Sequence, residues 1–335
     1  MNHDITGIIS NYDLCIGSVE SVNEDNDVFK ITDCSGKPYF LKLYGAAGGD
    51  DFMPADNIYH THEQIKLEAE ILSLLAGSSL GTAVPLKNKA DEWVTATGHI
   101  ALPYAVITSF IEAAPMEKSD APLTEMAYHA GIAAAQLHLA SADKLSAAAA
   151  KRPHKRQEYM RGILARLSDG VNLGNISPAQ FDMLNKCGDA IIACMNELDA
   201  DERCNVGLVH TDIRAANCLY SPRKVIPVDF SRAVFSYYLY DLGEMCAHMG
   251  RTAEIQREIL RGYHGVKPFG QGQLLAVQAF FAMFLMMVMA EGIETRESKW
   301  RDDLLVRFES EFCPGLVSGA GFFESAATAG IAERA

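Results

Sequence analysis

The chain has 335 residues, of which 49% are hydrophobic, so it is long enough for one large domain or two lobes built on a buried core. Its 29 Lys and Arg residues against 43 Asp and Glu residues give a net charge of -14. This charge repels nucleic acid and anionic membrane surfaces and favours a cationic small molecule as a partner.

The first hundred residues are predicted to form mainly strands. Three apolar or β-branched runs, DLCIGSVESV, DVFKIT and KPYFLKLYG, are separated by polar turns, which is typical of antiparallel strands. A helix is expected to begin at Thr61, with Glu63 in its first turn, and to stop at Gly77. Two further strands are expected around EWVTAT and YAVITSFI.

From Leu123 onward, the apolar residues recur at helical spacing. The pattern therefore predicts an α+β fold, with a sheet-rich lobe over residues 1–112 and a large, mainly helical lobe over residues 113–335. The run from Leu274 to Ala290 approaches the length of a membrane span, but it contains Gln278 and lacks flanking basic residues. We therefore interpret it as a helix in the core of the helical lobe and expect no membrane association.

Eight cysteines are scattered along the chain, with no CxxC pair and no spacing typical of zinc sites. We expect them all to be free thiols. The N-terminus MNHDITGIIS lacks the basic and apolar regions of a signal peptide. Both observations favour a cytoplasmic protein.

The stretch VHTDIRAANCLYSPRKVIPVDF places several polar groups among apolar residues. His210, Asp212 and Asn217 have the H-x-D-x-x-x-x-N spacing of a kinase catalytic loop. The following residues predict a β-hairpin that returns Asp229 beside this loop. Phosphoryl transfer requires such a set, because one Asp orients and deprotonates the attacking hydroxyl while an Asn and a second Asp hold Mg²⁺. The alternative is that these residues form a turn and strand-end caps.

Phosphoryl transfer also requires a lysine on the triphosphate and a glutamate that orients it. Lys42 lies on the third predicted strand, between apolar neighbours. On the following predicted helix, Glu68 shares a face with Ile65 and Ile71, whereas Glu70 faces outward. Because a carboxylate inside an apolar face is costly unless it is paired, we expect an ion pair between Lys42 and Glu68.

These features together resemble the aminoglycoside phosphotransferase and choline kinase group of small-molecule kinases, which share a bilobal protein-kinase fold. The resemblance rests on Lys42, on Glu68 and on the runs LVHTDIRAANCLY, VIPVDFSRA and YLYDLGEM. The roles that it implies are Asp212 as catalytic base, Asn217 and Asp229 as Mg²⁺ ligands, Lys42 on the phosphates of ATP or GTP, and Asp241 as structural support. We expect His210 to brace the loop rather than to take part in the chemistry.

The nucleotide-binding turn departs from the protein-kinase pattern. No G-x-G-x-x-G loop is present, and the first turn is SVNEDNDVF, in which Ser21 and Asn23 are candidates for phosphate contacts or simply part of a hairpin turn. The resemblance places adenine at the backbone near Ser109 and Ile111. The Asp229 motif is D-F-S rather than D-F-G, and the short distance to YDL leaves no room for an activation loop.

The expected activity is transfer of a γ-phosphoryl group to a small, amine-bearing alcohol. The acidic composition suits an aminoglycoside-type antibiotic or an amino alcohol such as choline, ethanolamine or homoserine, and it does not choose between them. Two alternatives remain open, namely a protein Ser/Thr kinase of the stress-response type and a non-catalytic nucleotide-binding regulator. The sequence gives no indication of the oligomeric state.

Overall fold

The computed structural model describes residues 5–22, 27–45, 60–201, 205–250, 252–295 and 298–323. The chain forms two compact units, and each combines helices with strands in an α+β fold. The first unit consists of Met1–Ala113 and Val228–Arg232, and the second consists of Ala114–Pro227 and Ala233–Ala335. The short segment Val228–Arg232 thus belongs to the first unit although it lies far along the chain.

The first unit is built on a five-stranded antiparallel sheet with the strand order β1-β2-β3-β5-β4. Its elements are α1 (Ile5–Ile9), β1 (Ile16–Ser21), β2 (Val28–Asp33), β3 (Pro38–Tyr44), α2 (His62–Leu75), β4 (Thr95–Ala96) and β5 (Tyr104–Ser109). The three predicted antiparallel strands, the helix and the two later strands are confirmed. The short helix α1 was not predicted.

Strand alternation decides where Lys42 points. In β3, Tyr39, Leu41 and Leu43 are buried and pack into the main apolar core of the unit. Because side chains alternate across a strand, Lys42 lies on the opposite face of the sheet from these residues. The strand therefore supplies apolar side chains to the core on one face and Lys42 on the other.

Helix α2 begins and ends where the sequence predicts. The Thr61 side chain accepts a hydrogen bond from the backbone N–H of Gln64 at 3.3 Å, which caps the first turn. At the other end, Gly77 has a φ of 74°, the left-handed conformation that glycine adopts at little cost.

A disulfide joins Cys15 to Cys34, so the prediction that all eight cysteines are free thiols is wrong. The β1–β2 hairpin explains the pairing, because Ile16 lies opposite Asp33 and brings the two cysteine Cα atoms to 5.4 Å. The free cysteines of the described residues are all buried: Cys187, Cys194, Cys218, Cys246 and Cys313. The remaining cysteine, Cys204, lies outside the described residues.

The second unit is mainly helical, as predicted, and contains two small three-stranded sheets, β10-β9-β6 and β7-β11-β8. Its helices are α3 (Leu123–Ala140), α4 (Ser146–Ala149), α5 (Gln157–Asn172), α6 (Pro178–Ala200), α7 (Leu239–His248), α8 (Ala253–His264), α9 (Gln271–Glu291), α10 (Lys299–Arg307) and α11 (Cys313–Val317). Its strands are β6 (Ala114–Pro115), β7 (His154–Lys155), β8 (Val206–Val209), β9 (Cys218–Ser221), β10 (Lys224–Pro227) and β11 (Val234–Tyr237).

Helix α9 contains the long apolar run. Within the described residues, Gly272–Glu291 is the one helical stretch long and apolar enough to cross a membrane, and 78% of its most apolar window is buried inside the protein. Gln278 is buried, and its side-chain oxygen accepts a hydrogen bond from the backbone N–H of Phe323 at 2.7 Å. The polar residue in this helix therefore holds a C-terminal segment of the same chain.

Helices α3 and α8 pack with their backbones in close contact. A Cβ atom added to Gly262 would lie 2.0 Å from the carbonyl oxygen of Tyr128, and one added to Gly131 would lie 2.1 Å from the carbonyl oxygen of Ile259. Since real Cβ atoms do not approach backbone oxygen so closely, only glycine fits at these two positions.

We expect the substitution Gly262→Ala to lower the free energy of unfolding by about 2–3 kcal/mol, because the added methyl group forces α3 and α8 apart. Gly162→Ala is the matched control, since Gly162 is an exposed residue of α5 and an added Cβ there meets nothing within 4 Å. The control should be neutral or gain up to about 1 kcal/mol. Thermal and urea unfolding of the two variants would check this, and equal losses would contradict it.

Candidate functional site

The loop from His210 to Asn217, called here the 210–217 loop, follows a buried strand. Leu208 and Val209 of β8 are fully buried, and Val209 lies opposite Val234 of β11. The chain leaves this sheet through Thr211, whose φ is 58°. Apolar pairing therefore fixes the point at which the loop begins.

The predicted β-hairpin after the loop is confirmed. Strands β9 and β10 pair antiparallel, with Ser221 opposite Lys224, and leave a two-residue turn of Pro222 and Arg223. Arg223, the second central residue of this turn, has a φ of 63°, a conformation that several types of tight turn use. The hairpin leads directly into Val228 and Asp229 in the sequence.

Asp241, on α7, holds the beginning of the 210–217 loop. Its Oδ2 accepts a hydrogen bond from the backbone N–H of His210, with an N···O distance of 2.9 Å. Its Oδ1 accepts a hydrogen bond from the backbone N–H of Thr211, with an N···O distance of 2.8 Å. A left-handed conformation at a β-branched residue such as Thr211 costs about 1–3 kcal/mol unless its surroundings enforce it. The two hydrogen bonds to one buried carboxylate supply that enforcement.

His138, on α3, completes the buried hydrogen-bonded network. Its Nε2 lies 3.0 Å from Asp241 Oδ2, and its Nδ1 lies 3.0 Å from the hydroxyl oxygen of Tyr263. Burial lowers the pKa of His138, so the neutral ring donates from Nε2 and accepts the Tyr263 hydroxyl at Nδ1. For Asp241, burial opposes ionisation, but the hydrogen bonds from His138 and His210 bring the pKa below its ordinary value.

Asp212 and Asn217 lie together, as the spacing predicts. The Asn217 amide donates to Asp212 Oδ2 at 2.6 Å, and the Arg214 guanidinium Nε lies 2.8 Å from Asp212 Oδ1. Asp212 is buried, with 8% of its surface exposed. The amide nitrogen of Asn217 donates to Asp212, so the amide oxygen points away from this hydrogen bond. An oxygen of this kind is a suitable ligand for a hard cation.

In the first unit, Lys42 and Asp229 form an ion pair. Lys42 Nζ lies 2.7 Å from Asp229 Oδ1, and 23% of the Lys42 side chain and 40% of the Asp229 side chain are exposed. Burial opposes the charge of Lys42, but the carboxylates of Asp229 and Glu68 raise its pKa above the ordinary value. The lysine is therefore charged at physiological pH.

Glu68 is buried in α2, which confirms that it faces inward. Its Oε2 accepts a hydrogen bond from the hydroxyl of Tyr44 at 3.2 Å. The expected ion pair between Lys42 and Glu68 stays a prediction, because the salt bridge that the structure records for Lys42 is with Asp229. Tyr44, which sequence reasoning did not single out, thus contacts both groups, with its ring centroid 5.0 Å from Lys42 Nζ.

Ser231, the serine of the D-F-S sequence, forms hydrogen bonds with Asp229. Its hydroxyl donates to Asp229 Oδ1 at 2.7 Å, and its backbone N–H donates to the same oxygen at 3.4 Å. Asp229 has a φ of 62°, which is uncommon for a residue other than glycine. The serine that replaces the usual glycine therefore fixes the carboxylate orientation of Asp229.

Some of the backbone groups predicted to contact adenine already form hydrogen bonds within the first unit. The backbone N–H of Ser109 donates to the carbonyl of Val84 at 2.8 Å, and its hydroxyl accepts from the N–H of Val84 at 2.9 Å. The carbonyl of Ile111 accepts from the N–H of Ala113 at 3.0 Å. Ser21 is exposed at the end of β1, and Asn23 lies outside the described residues.

The structure adds two residues to the surroundings of Asp212 that the sequence analysis missed. A carboxylate oxygen of Asp212, one of Glu244 and a ring nitrogen of His248 all lie within 4.8 Å of one another. Glu244 is 4% exposed, and burial raises its pKa to about 7. The sequence does contain one sign of this residue: Glu244 is an acidic residue three positions after Asp241 in the otherwise mostly apolar helix LYDLGEMCAH.

A family model matches most of the chain by sequence. The model of the family described as "Phosphotransferase enzyme family" matches residues 20–276. None of the curated proteins matches the chain.

Several solved structures share the fold. A microcompartment-associated aminopropanol kinase is 18% identical over 95% of this chain and 99% of its own, with a TM-score of 0.69. An aminoglycoside phosphotransferase from Alicyclobacillus acidocaldarius subsp. acidocaldarius DSM 446 is 16% identical over 95% and 96%, with a TM-score of 0.65. An amicoumacin kinase in complex with AMP-PNP, Ca²⁺ and Ami is 15% identical over 95% and 97%, with a TM-score of 0.63.

We expect Asp241→Asn to destabilise the second unit by about 3 kcal/mol, because a buried charge that accepts three hydrogen bonds is replaced by a group with one acceptor oxygen. Asp169→Asn is the control, since the Asp169 side chain is 51% exposed in its ion pair with Arg166 and its loss should change stability by at most about 0.5 kcal/mol. Thermal unfolding measures both effects. An Asp241 variant as stable as the control would mean that the loop is held by other contacts.

At about pH 8, Glu244→Gln should unfold at a higher temperature than the unchanged protein, and the difference should shrink toward pH 5. The folded-state pKa of about 7 lies above the ordinary 4.5, so the stability linked to protonated Glu244 is present below 4.5 and is lost as the pH rises through 7. Glutamine does not titrate and avoids this loss. Thermal unfolding across pH tests the difference, with exposed Glu254→Gln as control; a pH-independent shift would refute it.

Proposed function

Because the chain belongs to the phosphotransferase enzyme family, we propose that it transfers the γ-phosphoryl group of ATP or GTP, with Mg²⁺, to a hydroxyl group of a small amine-bearing molecule. The enzyme is a phosphotransferase whose acceptor is a small-molecule alcohol. The proposal adds the donor nucleotide, the metal and the chemical class of the acceptor.

The environment of Asp212 is the observation that supports the proposal most strongly. This buried carboxylate is oriented from two sides by the amide of Asn217 and the guanidinium of Arg214. Each carboxylate oxygen has a second lone pair, so Asp212 can also accept the proton of an acceptor hydroxyl. In this role Asp212 positions the hydroxyl and takes its proton as the bond to phosphorus forms.

The chemistry of each proposed metal ligand suits Mg²⁺. The amide oxygen of Asn217 and the carboxylate of Asp229 are hard oxygen ligands, and Mg²⁺ binds through one or two such groups together with phosphate oxygens. When bound, Mg²⁺ would neutralise charge on the transferred phosphoryl group. Lys42, which carries a charge at physiological pH, would contact the phosphates, and Ser231 would keep Asp229 in position.

Two observations favour an amine-bearing acceptor. The net charge of -14 attracts cations, and two of the similar structures are named for amine-bearing acceptors, aminopropanol and an aminoglycoside. A protein acceptor, as in the stress-response kinases, would need an extended docking surface, and neither the sequence pattern nor the described elements point to one.

We expect ADP release from Mg²⁺-ATP in the presence of one or more members of a panel of aminoglycosides and amino alcohols. Asp212→Asn should lower kcat at least about 10²-fold with that acceptor, because the hydroxyl proton then lacks a base. Asp189→Asn, an exposed residue of α6, is the matched control and should retain full activity.

Two results would count against the proposal. If Asp212→Asn released ADP as fast as the Asp189→Asn control, Asp212 would not be the base. If the unchanged protein bound ATP but released no ADP with any member of the panel, a protein acceptor or a regulatory role would replace the proposed function.

A further inference from the structure

Glu244 is a buried carboxylate that the proposed chemistry does not use. Its side chain is 5% exposed, and its Oε2 has no hydrogen-bond partner within the part of the chain that the structure describes. Its other oxygen, Oε1, lies 3.6 Å from the Nε2 atom of His248. A buried carboxylate with an unsatisfied oxygen costs stability, so a site that retains one points to a ligand that satisfies it.

The position of Glu244 identifies the end of the site to which such a ligand would bind. One of its carboxylate oxygens lies within 4.8 Å of a carboxylate oxygen of Asp212, the proposed base. In the proposed function, the acceptor hydroxyl donates a hydrogen bond to Asp212. Glu244 can therefore contact a group of the acceptor that lies close to that hydroxyl.

The charges around Glu244 favour a ligand that brings both a positive charge and N–H donors. Asp212 is already paired with Arg214, whereas the ammonium of Lys155 lies over the rings of Tyr159 and Tyr240, 5.0 and 5.9 Å from their centroids. Lys155 and His248 only partly offset the burial of Glu244. An ammonium group would supply the missing donors to Glu244 as charge-assisted hydrogen bonds.

We propose that Glu244 binds the ammonium group of the phosphoryl acceptor, and that the acceptor is a 1,2-amino alcohol whose nitrogen carries hydrogen. The inference rests on the proposed function, since it takes Asp212 as the residue that receives the hydroxyl.

The spacing of the two carboxylates matches this substrate class. An ammonium nitrogen and a hydroxyl oxygen on adjacent carbons lie about 3 to 4 Å apart, from ordinary bond lengths and staggered torsions. With a hydrogen bond of about 2.8 Å at each end, one such molecule joins two carboxylate oxygens that lie within 4.8 Å of each other. A quaternary ammonium cannot donate to Glu244 and is therefore disfavoured.

A divalent metal ion is the competing occupant, because Asp212, Glu244 and His248 offer two oxygens and a nitrogen. A metal there would lie beside the Arg214 guanidinium, which already occupies Asp212. It would also withdraw electron density from the carboxylate that has to accept a proton. Both effects favour the ammonium group.

The test compares three acceptors, 1-amino-2-propanol, its neutral analogue 1,2-propanediol and quaternary choline, in the unchanged protein and in Glu244→Gln. The unchanged protein should prefer the amino alcohol over the diol in kcat/KM, and the variant should lose about 10- to 100-fold of that preference, chiefly through the KM of the amine. The KM of ATP should stay the same. Glu254→Gln, with an exposed side chain on α8, is the matched control and should keep the preference.

A second measurement does not depend on turnover. Calorimetric binding of 1-amino-2-propanol to the unchanged protein should be tighter than binding of the diol, and Glu244→Gln should abolish that difference. This result would support the inference even if no ADP were released, and the failure would then lie with the proposed phosphoryl transfer. Circular dichroism of the variant shows whether it has folded, and Glu244→Asp repeats the test if it has not.

Three results would overturn the inference. The first is equal loss of kcat/KM on the amino alcohol and the diol in Glu244→Gln, which would indicate a structural role. The second is a preference of the unchanged protein for choline over 1-amino-2-propanol. The third is thermal stabilisation by Zn²⁺ without any acceptor that is lost in the variant, which would assign a metal to Glu244.

Discussion

The 210–217 loop depends on the carboxylate of Asp241. This one group accepts hydrogen bonds from two consecutive backbone N–H groups and from the ring of His138. The ring of His138 in turn accepts a hydrogen bond from the hydroxyl of Tyr263. The network links α3, α7 and α8 to the loop entirely through buried atoms, where unmade hydrogen bonds are most costly. The conformation at Thr211, and with it the position of Asp212, therefore follows from the packing of three helices.

Helix α7 carries two buried carboxylates that differ in their hydrogen bonding and in the direction of their pKa shifts. Asp241 has a partner for each oxygen and a lowered pKa. Glu244, one turn further on, has a raised pKa and one oxygen without a hydrogen-bond partner among the residues that the structure describes. The first stabilises the fold and the second weakens it at neutral pH. A strained or unsatisfied group next to a proposed catalytic residue is where structural stability is most often given up for function.

The sequence predicted the elements that have strong local signals: the strands β1 to β3, the capped helix α2, the hairpin after Asn217 and the inward face of Glu68. The sequence could not show which long-range partners these residues take. Lys42 meets Asp229 across 187 positions of sequence, and Cys15 meets Cys34 because of strand register. His138 and Glu244 were missed because a lone His or Glu in an apolar helix gives no pattern, and only tertiary packing reveals what it contacts.

The assignment of Val228–Arg232 to the first unit has a consequence for biosynthesis. The sheet of that unit is complete in sequence once Ser109 has been made, but Asp229, the counter-ion of Lys42, is synthesised about 120 residues later. During translation, Lys42 therefore lacks its ion-pair partner until Ala114–Pro227, about half of the second unit, has also been synthesised. A fragment ending at Ala113 would contain the sequence of all five strands but would lack Asp229.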